Sequence, residues 1–278
     1  MDRKGVKLPA YSVLMSVYAG ERAEYLRESL ESMAAQTYPA DEIVLVCDGE
    51  LNQELDGIIA EFEDRLPALR VLRMPKRSGT GACANAGLKE CRNEYIVKMD
   101  SDDISLPERC EYSLYTLAKR PGIDILGAYI EEFDSRTGET IAVRKTPHGH
   151  DRIIKYARRR NPFNNQTLVY KRSAALSCGG YSNDPRCEDY DFVVRMLASG
   201  AVGRNIGRVL VRYRVTEGNY KRRKNWANTR SFIAVRYRIH KSGFSSLADF
   251  LIPTAMQLFI FIMPSFLTGW IYRKMLRK

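Results

Sequence analysis

The chain has 278 residues, 45% of them hydrophobic and 28% charged, a composition that excludes disordered, collagen-like and disulfide-scaffold classes and leaves enough chain to bury a core. Its net charge of +11 is unevenly placed: residues 204–278 carry 16 basic and 2 acidic side chains, whereas the first 203 residues carry 28 and 31. The basicity belongs to one segment that leads into an apolar stretch, which points to an anionic membrane surface and away from nucleic acid.

The opening MDRKGVKLPAYSVLMSVY has only a short apolar run and no small-residue cleavage site, so no secretion signal is expected. Through the first hundred residues, apolar β-branched runs alternate with helical patterns, which predicts a sheet covered by helices. Tyr11 to Val17 reads as the first strand. Glu24 to Gln36 reads as a helix, with Leu26, Leu30, Met33 and Ala34 at helical spacing and Tyr38-Pro39 as its stop. EIVLVCDG is a second strand ending at Cys47 and Asp48, Gln53 to Asp64 a helix, LRVLRM a third strand, Gly81 to Cys91 a helix and EYIVKMDSDD a fourth strand. Two strands therefore run into acidic residues at their carboxyl ends, where such sheets bind ligands. After Asp103 the pattern changes to a helix from Pro107 to Lys119, a hairpin around Arg136-Thr137-Gly138, a basic helix from Asp151 to Arg160, then a short strand, a Gly-Gly turn and a helix containing Phe192, Val193, Met196 and Leu197. From Phe250 to Tyr272 no residue is charged. A continuous helix of that length would span roughly 35 Å, but Pro253, Gln257, Pro264 and Gly269 interrupt it, and an interfacial helix or hairpin fits as well as a span.

Six cysteines without a C-x-x-C pair suggest reduced thiols and no zinc site. Asp100-Ser101-Asp102-Asp103 puts three carboxylates within four residues, a repulsive arrangement that a shared hard cation such as Mg2+ or Mn2+ relieves. Asp48 precedes Gly49, whose turn would leave the carboxylate open to a base or ribose. Arg77-Ser78-Gly79-Thr80-Gly81 precedes a helix and offers backbone N–H groups to an anion. Glu188-Asp189-Tyr190-Asp191 opens a helix whose first turn favours ionised carboxylates, as a general base requires; spacing lets only one of Asp189 and Asp191 face a site. Gly179-Gly180 brings backbone close to packing partners or to ligand.

Taken together, SVYAGERAEYLRESLESMAAQTYPADEIVLVCDG, KMDSDD, GGY and EDYDFVVRML resemble the family 2 glycosyltransferases of GT-A fold, an α/β class with a Rossmann-like, doubly wound, mostly parallel sheet. VCDG, RNPFN and the GGY to EDYD interval resemble the amylovoran, capsule and exopolysaccharide branch. The resemblance implies a catalytic domain over 1–215 and a basic, apolar helical extension over 216–278. It implies that Ser16, Val17, Tyr18, Asp48 and Arg77 hold the nucleotide, that Asp100 and Asp102 hold Mn2+ or Mg2+ with Asp100 near the ribose, and that Asp189 is the catalytic base. Asp103, Asn165, Gly180 and Glu188 would support the site or the acceptor. Glu50, Arg77 and Asn165 depart from the residues common in that branch, and Asn165 cannot transfer a proton. The implied reaction is an inverting transfer from a nucleotide sugar, with UDP the expected nucleotide, to a lipid-linked or oligosaccharide acceptor at the cytoplasmic face of the inner membrane, with the protein peripheral or monotopic. A sugar nucleotidyltransferase and an inactive membrane scaffold of the same fold are the rival readings.

Overall fold

A computed structural model describes residues 5–216 and 225–263. The chain opens with four strands separated by three helices: β1 Tyr11–Tyr18, α1 Ala23–Ala34, β2 Glu42–Asp48, α2 Gln53–Arg65, β3 Leu69–Arg73, α3 Thr80–Glu90 and β4 Tyr95–Lys98. β2 is buried along its whole length and β1 nearly so, which is why both read as continuous apolar runs and not as alternating strands. All pairings in the order β3-β2-β1-β4 are parallel.

The second half extends the same sheet with mixed polarity. Its elements are β5 Ile104–Ser105, α4 Arg109–Lys119, β6 Ile125–Asp134, β7 Thr140–Arg144, α5 His150–Ala157, a 3-10 turn Asn165–Thr167, β8 Val169–Lys171, α6 Arg172–Ser177, α7 Glu188–Ala198 and β9 Gly203–Val215. β8 bridges β4 and β6, antiparallel to both; β9 runs parallel to β6, and β5 closes the edge on β9. β6 and β7 form the expected hairpin, with Gly138 at φ +73° in its turn. Neither β5 nor β9 was legible in sequence. β9 carries Arg204, Arg208, Arg212 and Arg214, and its pairing with β6 is broken by register shifts, so its alternation of apolar and polar residues is irregular.

Helices cover both faces. Leu26, Leu30 and Met33 of α1, Leu55, Ile59 and Phe62 of α2 and Cys110, Leu114 and Leu117 of α4 pack with Val13, Met15, Ile43 and Leu45. Cys83, Ala84 and Leu88 of α3 and Phe192, Val193 and Met196 of α7 pack with Leu14, Val44, Val46 and Ile96 on the other side. Alternate residues of β1 and β2 thus enter opposite cores, the expected consequence of the strand's two-residue period. Gly87 lets α3 lie close to the sheet, because a Cβ there would come within 2.3 Å of Leu14 Cδ1.

Two helices follow β9: α8 Trp226–Lys241 and α9 Leu247–Ile262. Val235 and Ile239 of α8 are buried in the second core, so this helix is built into the folded unit. α9 begins at a capping box in which Ser246 Oγ accepts the Asp249 N–H and Asp249 Oδ2 accepts the Ser246 N–H. It runs through Pro253 and Gln257, two of the positions expected to interrupt it. Gln257 Nε2 donates to Thr229 Oγ1 of α8 at 3.1 Å, and Phe250 packs on Tyr237 and His240. Among the described residues no helix is long and apolar enough to cross a membrane. Residues 264–272 of the expected apolar stretch, and the run Lys221-Arg222-Arg223-Lys224, lie outside the described residues.

Candidate active site

β1 and β2 end side by side, with Tyr18 in register with Asp48, while β4 ends at Lys98 on the other flank of β1. Above these carboxyl ends lies a cleft of about 520 Å³, lined by Ser16, Val17 and Tyr18, by Asp48, by residues 77–83 and by residues 183–186 with Glu188.

The Asp48 carboxylate accepts the backbone N–H groups of Ser78 at 2.5 Å and of Gly79 at 3.1 Å. Asp48 thus lines the cleft, as expected of a residue that could meet a base or ribose, and its carboxylate also holds the glycine-rich loop against β2. Two conformational requirements make that contact possible. Gly49 sits at φ +81° and a Cβ on it would come within 2.7 Å of Arg77 N, so only glycine admits the loop there. Arg77 projects over the Tyr18 ring, 5.4 Å from its centroid, and places a cation beside the cleft.

At the end of β4, Asp100 Oδ1 accepts a hydrogen bond from Lys98 Nζ at 2.6 Å; the lysine side chain is 3% exposed and the aspartate side chain 30%. Ser101 Oγ donates to Glu21 Oε2 at 2.9 Å, tying the acidic turn to the loop after β1. Burial pushes the Asp102 carboxyl up to about 7, with the charges of Asp100 and Glu21 adding to the effect. Asp103 is fully buried and accepts the Arg214 N–H at 2.9 Å, while Arg214 Nε donates to the Asp102 carbonyl at 2.8 Å. Asp103 is thereby an anchor that fixes the turn to β9. Its own carboxyl is raised well above the usual range by burial and by Asp102 and Asp100.

Glu188 and Asp189 approach the same region from the first turn of α7. That helix is entered through Cys187 in the left-handed conformation at φ +64°, a strained entry of the kind that aims side chains at functional sites. Asp189 Oδ2 accepts from Asn161 Nδ2 at 3.1 Å. Burial raises its carboxyl, hydrogen bonds from the Tyr190 N–H and Asn161 oppose this, and the negative charge of Asp100 raises it again. Glu188 is raised to about 7 by burial and then by Asp189, with Lys98 acting in the opposite sense. Lys98, Asp100, Glu188 and Asp189 therefore share one electrostatic environment although they come from two distant segments. Asp191 faces away: it pairs with Arg195 at 2.7 Å and with Arg238 at 3.4 Å.

Gly180, at φ +67°, is a packing residue, since a Cβ there would meet Asn85 Oδ1 at 2.3 Å; Asn85 in turn accepts the Tyr181 N–H at 2.7 Å and donates to the Tyr181 carbonyl at 2.8 Å. This clamp joins α3 to the segment before α7 and so joins the two walls of the cleft. Asn165 lies in the 3-10 turn with a buried Oδ1 that has no hydrogen-bond partner among the described residues. The turn is held to β4 by the fully buried Arg109, whose Nη2 donates to the carbonyls of Lys98 and Gln166. Lys98, Asn161, Glu21, Arg109 and Arg214 were not read from sequence as site residues. Lys98 had a signal, a charge inside the apolar strand YIVK. Arg109 and Arg214 had none, because their partners lie in segments remote along the chain.

A family model described as "Glycosyl transferase family 2" matches residues 12–179. The chain belongs to this family. It is 32% identical over 97% of its length, and 98% of the relative's, to the "UDP-Gal:alpha-D-GlcNAc-diphosphoundecaprenol beta-1,3-galactosyltransferase" of Escherichia coli. It is 35% identical over 96% of its length, and 99% of the relative's, to an "Uncharacterized glycosyltransferase" of Haemophilus influenzae. To the "Amylovoran biosynthesis glycosyltransferase AmsE" of Erwinia amylovora the identity is 34%, over 82% of this chain and 85% of that protein. Among solved structures, the mannosyltransferase PcManGT of Pyrobaculum calidifontis, in complex with GDP-Man and Mn2+, superposes with a TM-score of 0.68 at 16% identity, over 94% of this chain and 72% of that one. S. aureus TarS gives 0.65 at 18% identity; 95% of this chain matches it, spanning about half of TarS (48%). These likenesses identify the GT-A fold, and the family makes the protein a glycosyltransferase.

Proposed function

We propose that this enzyme carries out an inverting, metal-dependent transfer from a UDP-sugar to a lipid-linked saccharide acceptor in capsule, exopolysaccharide or O-antigen synthesis, at the cytoplasmic face of the inner membrane. The observation that carries the reading is that Glu188 lines the cleft that Asp48 and the glycine-rich loop form, while the adjacent Asp189 acts electrostatically on Glu188 and feels the charge of Asp100. Support for the lipid-linked acceptor comes from the relative acting on a diphosphoundecaprenol substrate, and for the membrane from the exposed apolar face of α9, where Leu251, Met256 and Phe259 are at least half exposed.

In this reading Ser16, Val17, Tyr18 and Arg77 receive the nucleotide, the last as a fixed cation for phosphate. Asp189, held in orientation by Asn161, takes the proton of the acceptor hydroxyl as that oxygen attacks C1 of the donor from the face opposite the leaving diphosphate. The raised carboxyl of Asp189 suits the role, because a base whose conjugate acid titrates closer to neutrality both accepts and later releases the proton readily. Asp100 and Asp102 would hold Mn2+ or Mg2+. Their oxygens suit a hard cation, and the pressure of Asp100 and Glu21 on Asp102 concentrates negative charge where a cation would relieve it. Among the described residues no group of three or more metal-ligating side chains occurs. When bound, such an ion supplies charge neutralisation for the leaving diphosphate.

The test is a screen of nucleotide sugars for divalent-metal-dependent hydrolysis, followed by transfer assays on the substrate found. Asp189→Asn should lower transfer by about a hundredfold or more with donor affinity nearly intact. An inactive Glu188→Gln together with an active Asp189→Asn would reverse the two roles. Asp102→Asn should abolish the gain in UDP affinity that Mn2+ confers; unchanged calorimetric affinity would count against the metal assignment.

A further inference from the structure

The chain following α5 reads Arg158-Arg159-Arg160-Asn161, and all three arginines are exposed. Asn161 is the residue that donates to Asp189, and the Ala157 carbonyl accepts the Tyr190 hydroxyl at 2.6 Å, so this basic run is fastened at both ends to the helix that carries the candidate base. Arg159 is also fastened to α9, its Nε donating to Asp249 Oδ1 at 2.5 Å. Neither Arg158 nor Arg160 makes an ion pair with the carboxylates of the described residues. A fourth guanidinium lies against them from α8: Arg236 is 5% exposed, donates to the Arg159 carbonyl, and keeps a buried Nε without a partner. Arg160 stands close enough to disfavour the charged form of Arg236 further, after burial. Of these four arginines only Arg159 makes an ion pair among the described residues, with Asp249; the basic run is tied to the Asp189 base through Asn161 and to α9 through Asp249.

Charge of one sign concentrated in this way is stabilised by an anion of matching valence, and guanidinium forks fit phosphate oxygens bidentately. We propose that Arg158 and Arg160 bind the diphosphate of a lipid-diphosphate-linked acceptor, with the acceptor sugar directed to Asp189 and the lipid chain lying along α9. The inference rests on the lipid-linked acceptor of the preceding reading. It assigns the donor and acceptor anions to separate places: the nucleotide to the cleft beside Arg77, and the acceptor diphosphate to the far side of Asp189, as attack from the face opposite the leaving group requires. The order base, arginines, apolar helix also follows the order of an acceptor molecule, from sugar hydroxyl through diphosphate to lipid.

Binding can be measured without turnover. Decyl diphosphate titrated calorimetrically into the full-length protein in uncharged detergent micelles should bind, and Arg158→Gln/Arg160→Gln should weaken that binding by about tenfold or more, the usual worth of charge-assisted hydrogen bonds. Arg158→Lys/Arg160→Lys should weaken it less. Both sites are exposed, so thermal midpoints should match the wild type, and UDP affinity should be retained. In the wild type, decyl diphosphate binding should persist in a large excess of phosphatidylglycerol in the same micelles. Displacement by that lipid would mean that the arginines take any anionic headgroup, which overturns the assignment, as would absent binding or an unchanged affinity in the glutamine variant. If UDP binds and donor sugar is turned over while the arginine variant binds decyl diphosphate like the wild type, this inference alone fails. If arginine-dependent binding holds but no nucleotide sugar is used, the functional reading fails and the anion site stands.

Discussion

Asp189 owes its proposed role to a balance that a single neighbour can tip. Burial raises its carboxyl, and the Asn161 amide supplies one of the hydrogen bonds that hold it down. Asn161→Ala should therefore move the acid limb of the kcat/KM profile to higher pH, with transfer slowed at neutral pH and partly recovered in alkali. An acid limb that stays in place would show that Asn161 does not tune the base. Glu188 offers a stability counterpart. Its folded carboxyl titrates at about 7 against an ordinary 4.5, so between those values the folded state holds a proton that the unfolded state releases. Stability from this group then falls as pH rises through that window and levels off above it. Glu188→Gln should flatten the decline of the melting temperature between pH 5 and pH 8 and leave the variant the more stable protein at pH 8. An unchanged slope would refute the shift. Glu188 and Asp189 were legible in sequence as acidic residues opening a helix. Asn161 was visible within RNPFN, but nothing in that motif says that its amide reaches across to α7.

At the level of elements, the cleft depends on how closely α3 can approach the segment before α7. Gly81 lies in the first turn of α3, and a Cβ there would sit 2.0 Å from the Ser182 carbonyl oxygen, which is backbone and cannot swing aside. Gly81→Ala should cost about 1–3 kcal/mol of stability, the usual penalty of overpacking, and should weaken UDP binding as the two walls of the cleft separate. Chemical denaturation and calorimetry would measure both, and a variant with wild-type values would mean that the segment moves freely. The sequence marks Gly81 as part of a glycine-rich loop, a pattern associated with anion binding. Its tight contact is instead with protein backbone, and only the packing of two segments about a hundred residues apart reveals that.

For the whole molecule, charge and apolarity converge on one side. α9 presents Leu247, Leu251, Ile252, Met256, Phe259 and Ile262 to solvent, the last 79% exposed, next to the arginines that follow α5. In the proposed reading, this apolar helix bordered by cations serves as an interfacial membrane anchor. Leu251→Glu/Met256→Glu/Phe259→Glu should reduce sedimentation with phosphatidylglycerol vesicles sharply and leave stability within about 0.5 kcal/mol per site, since these side chains are exposed already. The wild-type protein should stay with the vesicles in high salt, because apolar insertion is not screened. Complete release of the wild type in salt would leave α9 as an interface with protein.

The sequence by itself determined the α/β class, the order of the first seven elements, the acidic end of β4, the helix opening at Glu188 and the basic, apolar character of the C-terminal segment. Each of these is a local signal, carried by hydropathy period, turn residues or charge within about ten positions. Tertiary structure alone decided which of those residues meet. It turned the Asp48 carboxylate onto the glycine-rich loop, paired Lys98 with Asp100, set Asn161 on Asp189, placed Arg214 beneath the acidic turn and brought Arg159 to α9. Except for Lys98 and Asp100, these partners lie 28 to 112 residues apart in the chain. Contacts of that separation are fixed by strand order and register, which no local pattern encodes.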